Sequence, residues 1–216
     1  MARTTADPFT LAECLTLLAA LFWGPDHNRC LDLFARDLPY LRDKAAKDAP
    51  ELVKALADLA GTAPDRQGLA AICRALGEAH VRLFVSAPGK IPAPPYASAY
   101  TGDGRLMGPP ALAMAERLDR AGLTLDKNSN EPADHLCLEL EYLAELVEKS
   151  AGANDSEGLA EAASFAREEV LPWVGRFRQA LAAADPPAQW TAAGALLAAT
   201  LCAVAALDPA EACPRS

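Results

Sequence analysis

From Asp7 to Leu207 the apolar residues of this chain recur three and four positions apart, and its sparse β-branched residues never alternate with polar ones. That spacing is the period of a helix with a buried face, whereas a half-buried strand needs a period of two. The chain is therefore expected to be all-α, and its capping residues place the helix ends. Asp7 and Pro8 open a first helix whose stripe Leu11, Leu15, Leu18 and Phe22 runs to Gly24. Pro25-Asp26 opens a second with Cys30, Leu31, Phe34 and Leu38. Pro50 opens a third with Leu52, Leu56 and Leu59, closed by Gly61, and Asp65 a fourth running through Ile72, Leu76, His80 and Phe84. Further helices are expected at about 110–121, 132–150, 156–169, 171–184 and 187–207. With no fixed-period repeat to suggest a solenoid, the expectation is a single globular helical bundle of about nine to ten helices over residues 1–208, with a flexible tail at 209–216.

At 216 residues, 51% of them apolar, the chain can bury ~70% of its unfolded surface and needs no covalent staples. A net charge of −9 argues against nucleic acid or an anionic membrane as the main partner and favours cationic ones. The six cysteines (Cys14, Cys30, Cys73, Cys137, Cys202, Cys213) are widely spaced, mostly in apolar stretches, and read as buried small hydrophobes in a reducing compartment. The uncharged stretch Thr191 to Leu207 is short of the ~20 strongly apolar residues of a bilayer span and reads as a buried helix, so no stable membrane insertion is expected. Met1 to Asp7 lacks the basic start and apolar run of a secretory signal, which points to the cytoplasm.

Residues 86–110 break the helical pattern. They hold six of the 17 prolines and four glycines, so neither a helix nor a central strand can run through them. A plain linker has little to pack, but this segment carries Ile91, Tyr96, Tyr100, Leu106 and Met107, which gain free energy only by packing. An ordered hinge loop lying over two helical halves is expected, extended at Pro94-Pro95-Tyr96.

A second segment, Asp126 to Glu141, concentrates ionisable groups. Pro132 marks a first helical turn, Glu131 stands near the cap, Asp134 meets the positive end of the helix dipole, and His135 and Glu139 share a face one turn apart. These charges read either as capping plus an i,i+4 pair or as a binding site. A metalloprotein or enzyme using Glu131, His135 and Glu139 is an alternative, though no second Glu–His motif accompanies them at His27 or His80. Cys137 faces away from His135, so no nucleophile pair is seen, and no phosphate-cradling or dinucleotide motif occurs. No catalytic residue, cofactor or metal is assigned.

At these two segments the chain resembles the cytoplasmic maturation chaperones of molybdoenzymes, the TorD/DmsD group related to the NarJ chaperones. The resemblance rests on Pro94-Pro95-Tyr96-Ala97-Ser98-Ala99-Tyr100, on Gly104-Arg105-Leu106-Met107-Gly108, and on Glu131-Pro132-Ala133-Asp134-His135-Leu136, which is similar to the family's E-P-x-D-H signature, with Glu139-Leu140-Glu141-Tyr142-Leu143 following. Leu118 departs from the pattern where members often carry an aromatic residue. The resemblance implies a TorD-like bundle that binds the twin-arginine signal peptide of a molybdopterin oxidoreductase precursor, or its apoprotein, and assists cofactor insertion before export, as monomer or homodimer. Two guanidinium groups followed by an apolar run call for carboxylates beside an apolar groove. On that basis Glu131, Asp134 and Glu139 are expected at the negative end, and Tyr96, Tyr100, Leu106 and Leu138 in the apolar wall. Pro132 and Ser98 complete the candidate set, and His135 is expected to orient Asp134 or donate to the peptide while titrating near neutral pH.

Overall fold

Cap chemistry sets most of the helix ends. Helix α1 (Pro8–Phe22) begins where Asp7 Oδ2 accepts from the Thr10 amide at 3.1 Å, and after Trp23 the chain leaves it through Gly24 at φ +80°. The left-handed turn also has a packing reason: a Cβ on Gly24 would stand 2.5 Å from Cε1 of His80. The computed structural model describes residues 6–62, 65–102, 104, 106–123 and 131–208; the expected tail, Arg105 and residues 126–130 of the second special segment lie outside the described residues.

Asp26 caps α2 (His27–Asp32), Pro50 opens α4 (Pro50–Ala60), Asp65 caps α5 (Arg66–His80), and Asp155 caps α8 (Ser156–Ser164). Between α2 and α3 (Leu38–Ala45) the chain does not break but widens into a π-helical turn, Leu33–Asp37; the same happens at Val81–Val85 after α5, and at Phe165–Val170 between α8 and α9 (Leu171–Ala183). Two of these turns immediately precede Pro39 and Pro172. A proline inside a helix offers no amide and crowds the carbonyl four residues back, and a widened turn at that carbonyl lets the rod continue. The separate helices expected at 156–169 and 171–184 are therefore one rod, and with α6 (Pro109–Arg120), α7 (Leu136–Ala153) and α10 (Ala188–Ala205) the described residues form eight continuous rods from ten α segments.

Helix α1 lies along α7, α10 lies on α4, α9 and α1, and α2 packs on α5. Beyond its predicted stripe α1 also buries Cys14, Leu17 and Leu21, as a helix enclosed on most sides must. Phe22 sits at the centre of an aromatic cluster, its ring centroid 5.4–5.8 Å from those of Phe84, Phe177 and Trp190. His80 belongs to this cluster, edge-on to Phe84, its Nε2 2.9 Å from the Phe22 carbonyl. Helix α10 is long and apolar enough to cross a membrane, yet it buries Trp190, Leu196, Leu197, Leu201 and Val204 against its neighbours. Of the cysteines in the described residues, Cys14, Cys30, Cys73 and Cys137 are buried and Cys202 is exposed.

The hinge segment is an ordered loop on the helices, held by backbone bonds from Ala93 to Leu83, from Leu136 to Pro95 and from Ala97 to Asp134 at 2.8–3.0 Å, with a single 3-10 turn at Ala97–Ala99. Two of its apolar residues depart from expectation. Leu106 and Met107 are 52% and 72% exposed, because the chain turns there at positive φ into α6, whose buried face is Ala111, Met114 and Leu118.

Candidate functional site

The loop and the signature segment meet. Tyr96 and His135 form an antiparallel bridge, so the extended backbone that Pro94-Pro95 imposes is paired with the strand-like residue just before α7. This pairing alters the expected start of the helix. Pro132 to His135 is a turn closed by the His135 amide on the Pro132 carbonyl at 3.0 Å, and α7 begins only at Leu136. Pro132 is thus not a first helical residue, and Asp134 is not in the first helical turn. His135 itself is the cap: its Nδ1 accepts from the Cys137 amide at 3.2 Å, which assigns the ring proton to Nε2.

Asp134 is wholly buried. Its Oδ2 accepts from the Ser98 amide at 2.8 Å and its carbonyl from the Ala97 amide, so it clamps the loop to the signature turn. Its Oδ1, like the Ser98 hydroxyl and the Tyr100 hydroxyl, is buried without a hydrogen-bond partner. Tyr96 is half-buried and donates to Glu131 Oε2 at 2.6 Å; burial and that carboxylate raise its phenol well above the ordinary value. Tyr100 turns into the core, stacked on Trp173 at 5.9 Å, with its carbonyl bonded to Arg176. Leu138 is partly exposed on the first turn of α7.

Three expectations of site residues need correction here. Glu139 does not stand at the negative end beside His135: it is buried, accepts from Trp173 Nε1 at 3.1 Å, and burial raises its carboxyl well above the usual carboxylate range. Buried and turned to the Trp173 indole, it does not present its carboxyl to a ligand beside His135. Nor does His135 titrate near neutrality, since burial lowers its pKa to about 4 against the opposing pull of Glu131 and Asp134. Leu106, exposed on the loop, supplies no buried apolar wall. The metal alternative fares no better: Glu131, His135 and Glu139 are turned to Tyr96, Cys137 and Trp173, and no three His, Cys, Asp or Glu side chains among the described residues could hold an ion together.

Two residues of the site, Trp23 and Glu141, stand outside the candidate set. Trp23, at the end of α1, stacks on His135 with ring centroids 4.5 Å apart and planes within 7°, and its Nε1 donates to Glu141 Oε1 at 2.7 Å. Tyr96 meets the same imidazole edge-on at 5.0 Å. The result is a row of three rings, Trp23, His135 and Tyr96, with the Glu141 carboxylate bonded at one end and the Glu131 carboxylate at the other. The Cys137 thiol, buried at the start of α7, is raised first by burial and then by the fields of both carboxylates.

A family model described as the nitrate reductase delta subunit matches residues 40–179, 140 of the 216 residues. Among curated relatives, the chaperone protein TorD of Vibrio cholerae is 35% identical over 106 residues, 47% of this chain and 48% of its own, and that of Photobacterium profundum is 36% identical over 122 residues, 54% and 56% of the two chains. The chain thus spans about half the length of the curated relatives it matches. A crystal structure from Archaeoglobus fulgidus, described as a candidate redox enzyme maturation protein, overlaps with a TM-score of 0.44 at 22% identity, covering 81% of this chain and 93% of that one. Matched over most of its length by that family model, the chain belongs to the nitrate reductase delta subunit family, which includes TorD and NarJ.

Proposed function

We propose that the protein is a cytoplasmic maturation chaperone that binds the twin-arginine signal peptide, or the apoprotein, of a molybdopterin oxidoreductase and assists cofactor insertion before export. The observation that carries this reading is the junction of loop and α7, where a carboxylate and aromatic rings stand together on ordered backbone in a member of this family. Glu131 offers the charge that a guanidinium pairs with, Tyr96 and Leu138 offer apolar surface for the run that follows the arginines, and His135 offers the Nε2 proton to a peptide carbonyl. Asp134, Ser98, Pro132 and Tyr100 act from beneath by holding the loop in place. The role asked of the molecule is binding, and no residue is assigned a catalytic part.

Titration calorimetry with a synthetic peptide of two adjacent arginines followed by an apolar run tests the reading. Saturable binding to the wild-type chain is expected, weakened in Glu131→Gln and His135→Ala. Wild type that binds neither this peptide nor the signal-bearing apoprotein of a molybdopterin oxidoreductase from its own organism would overturn the proposal.

A further inference from the structure

The geometry points to Trp23 and Glu141 as the seat of a second guanidinium, so that the row of rings is read from both ends and selects a pair of arginines over lysines. This rests on the function proposed above and adds to it the residues that discriminate the cation. Two observations carry it. Trp23 is 37% exposed although one ring face is spent on His135, so part of a large aromatic surface stays open beside an exposed carboxylate. Its Nε1 bond to Glu141 fixes that carboxylate at the indole edge, leaving Oε2 for a second donor.

Arginine answers both features. Its guanidinium is a planar donor fork with no acceptor, stacks on indole, and pairs with a carboxylate through two parallel bonds; a lysine ammonium is a compact, strongly hydrated point charge that does neither as well. Glu131 and Glu141 both act on the Cys137 thiol, so the two carboxylates flank one helix start rather than opposite sides of the molecule. An Arg-Arg pair can therefore place one guanidinium at each end of the row.

The test is calorimetric titration of four synthetic peptides, identical except for Arg-Arg, Arg-Lys, Lys-Arg or Lys-Lys before the apolar run, into wild type, Trp23→Leu and Glu141→Gln. Wild type is expected to prefer Arg-Arg over Lys-Lys, and Trp23→Leu to lose roughly tenfold for Arg-Arg while changing little for Lys-Lys. Glu141→Gln is expected to weaken Arg-Arg and to reduce the penalty of one single replacement more than the other. Should Trp23→Leu fail to fold, Glu141→Gln, at an exposed position, still decides. If wild type binds Arg-Arg and both variants keep its affinity and its Arg/Lys ratio, this inference is overturned while the proposed function stands; if wild type binds none of the four, the proposed function itself is in question.

Discussion

His135 and Glu139, four residues apart at the start of α7, are expected from the sequence to share a helix face and are separated by the fold. His135 caps the helix under Trp23, and Glu139 points to Trp173. Their protonation equilibria pull stability in opposite directions. His135 has its pKa lowered from 6.5 to about 4, so between those values the unfolded chain binds the extra proton, and stability rises with pH through that window. The full shift amounts to about 3 kcal/mol as an upper bound. Glu139 is raised well above 4.5, so the folded chain holds the proton, and stability falls as pH rises from 4.5 through the folded value. Urea unfolding across pH is expected to show Glu139→Gln, which keeps an acceptor for Trp173, flattening the decline that begins above pH 4.5 and gaining stability at pH 8. His135→Asn, which keeps an N-cap acceptor, is expected to flatten the acid limb. An unchanged slope above pH 4.5 in Glu139→Gln would mean that the carboxyl pKa is not raised in the fold.

At the scale of elements, the caps were legible and the contacts that override them were not. Asp7, Asp26 and Asp65 place helix starts because each acts on amides within three residues of itself. Pro132 carries the same local signal, yet the helix starts four residues later, because Tyr96 pairs with His135 and takes that stretch of backbone into a bridge. The joined rods at Pro39 and Pro172 were hidden likewise, since packing along a continuous helix outweighs a local break. Of the candidate site, the two segments are legible as motifs, but Trp23 lies 118 residues from Glu141, beyond the reach of any local spacing. The loop clamp belongs at this scale too. Removing the Asp134 carboxylate leaves the buried Ser98 amide without an acceptor, at about 1–3 kcal/mol. Asp134→Ala is expected to speed hydrogen exchange at Ala97 and Ser98 by tenfold or more with helix content unchanged, and Asp134→Asn to lie between. Wild-type protection at both amides in Asp134→Ala would assign the clamp to the remaining bonds, from Ala97 to the backbone carbonyl at position 134, from Leu136 to Pro95 and from Tyr96 to Glu131.

Over the whole molecule, the net charge of −9 and the two carboxylates of the aromatic row can both draw a cationic peptide, but they act at different ranges. The diffuse field works before contact and raises the encounter rate; it is screened over a Debye length of ~8 Å at physiological salt and ~3 Å near 1 M. Paired carboxylates act after contact and set how long the peptide stays. The two contributions therefore separate in kinetics. Stopped-flow binding of an Arg-Arg peptide, followed by tryptophan emission, suits this chain because Trp173 and Trp190 are buried and Trp23 alone among its three tryptophans is exposed. Raising salt from about 0.05 to 0.5 M is expected to slow association several-fold while changing dissociation far less. Glu131→Gln, which alters the total charge by only one unit, is expected to act mainly on dissociation. Should Glu131→Gln slow association as much as added salt does, with dissociation untouched, the carboxylate would be part of the diffuse field and not a contact to the peptide.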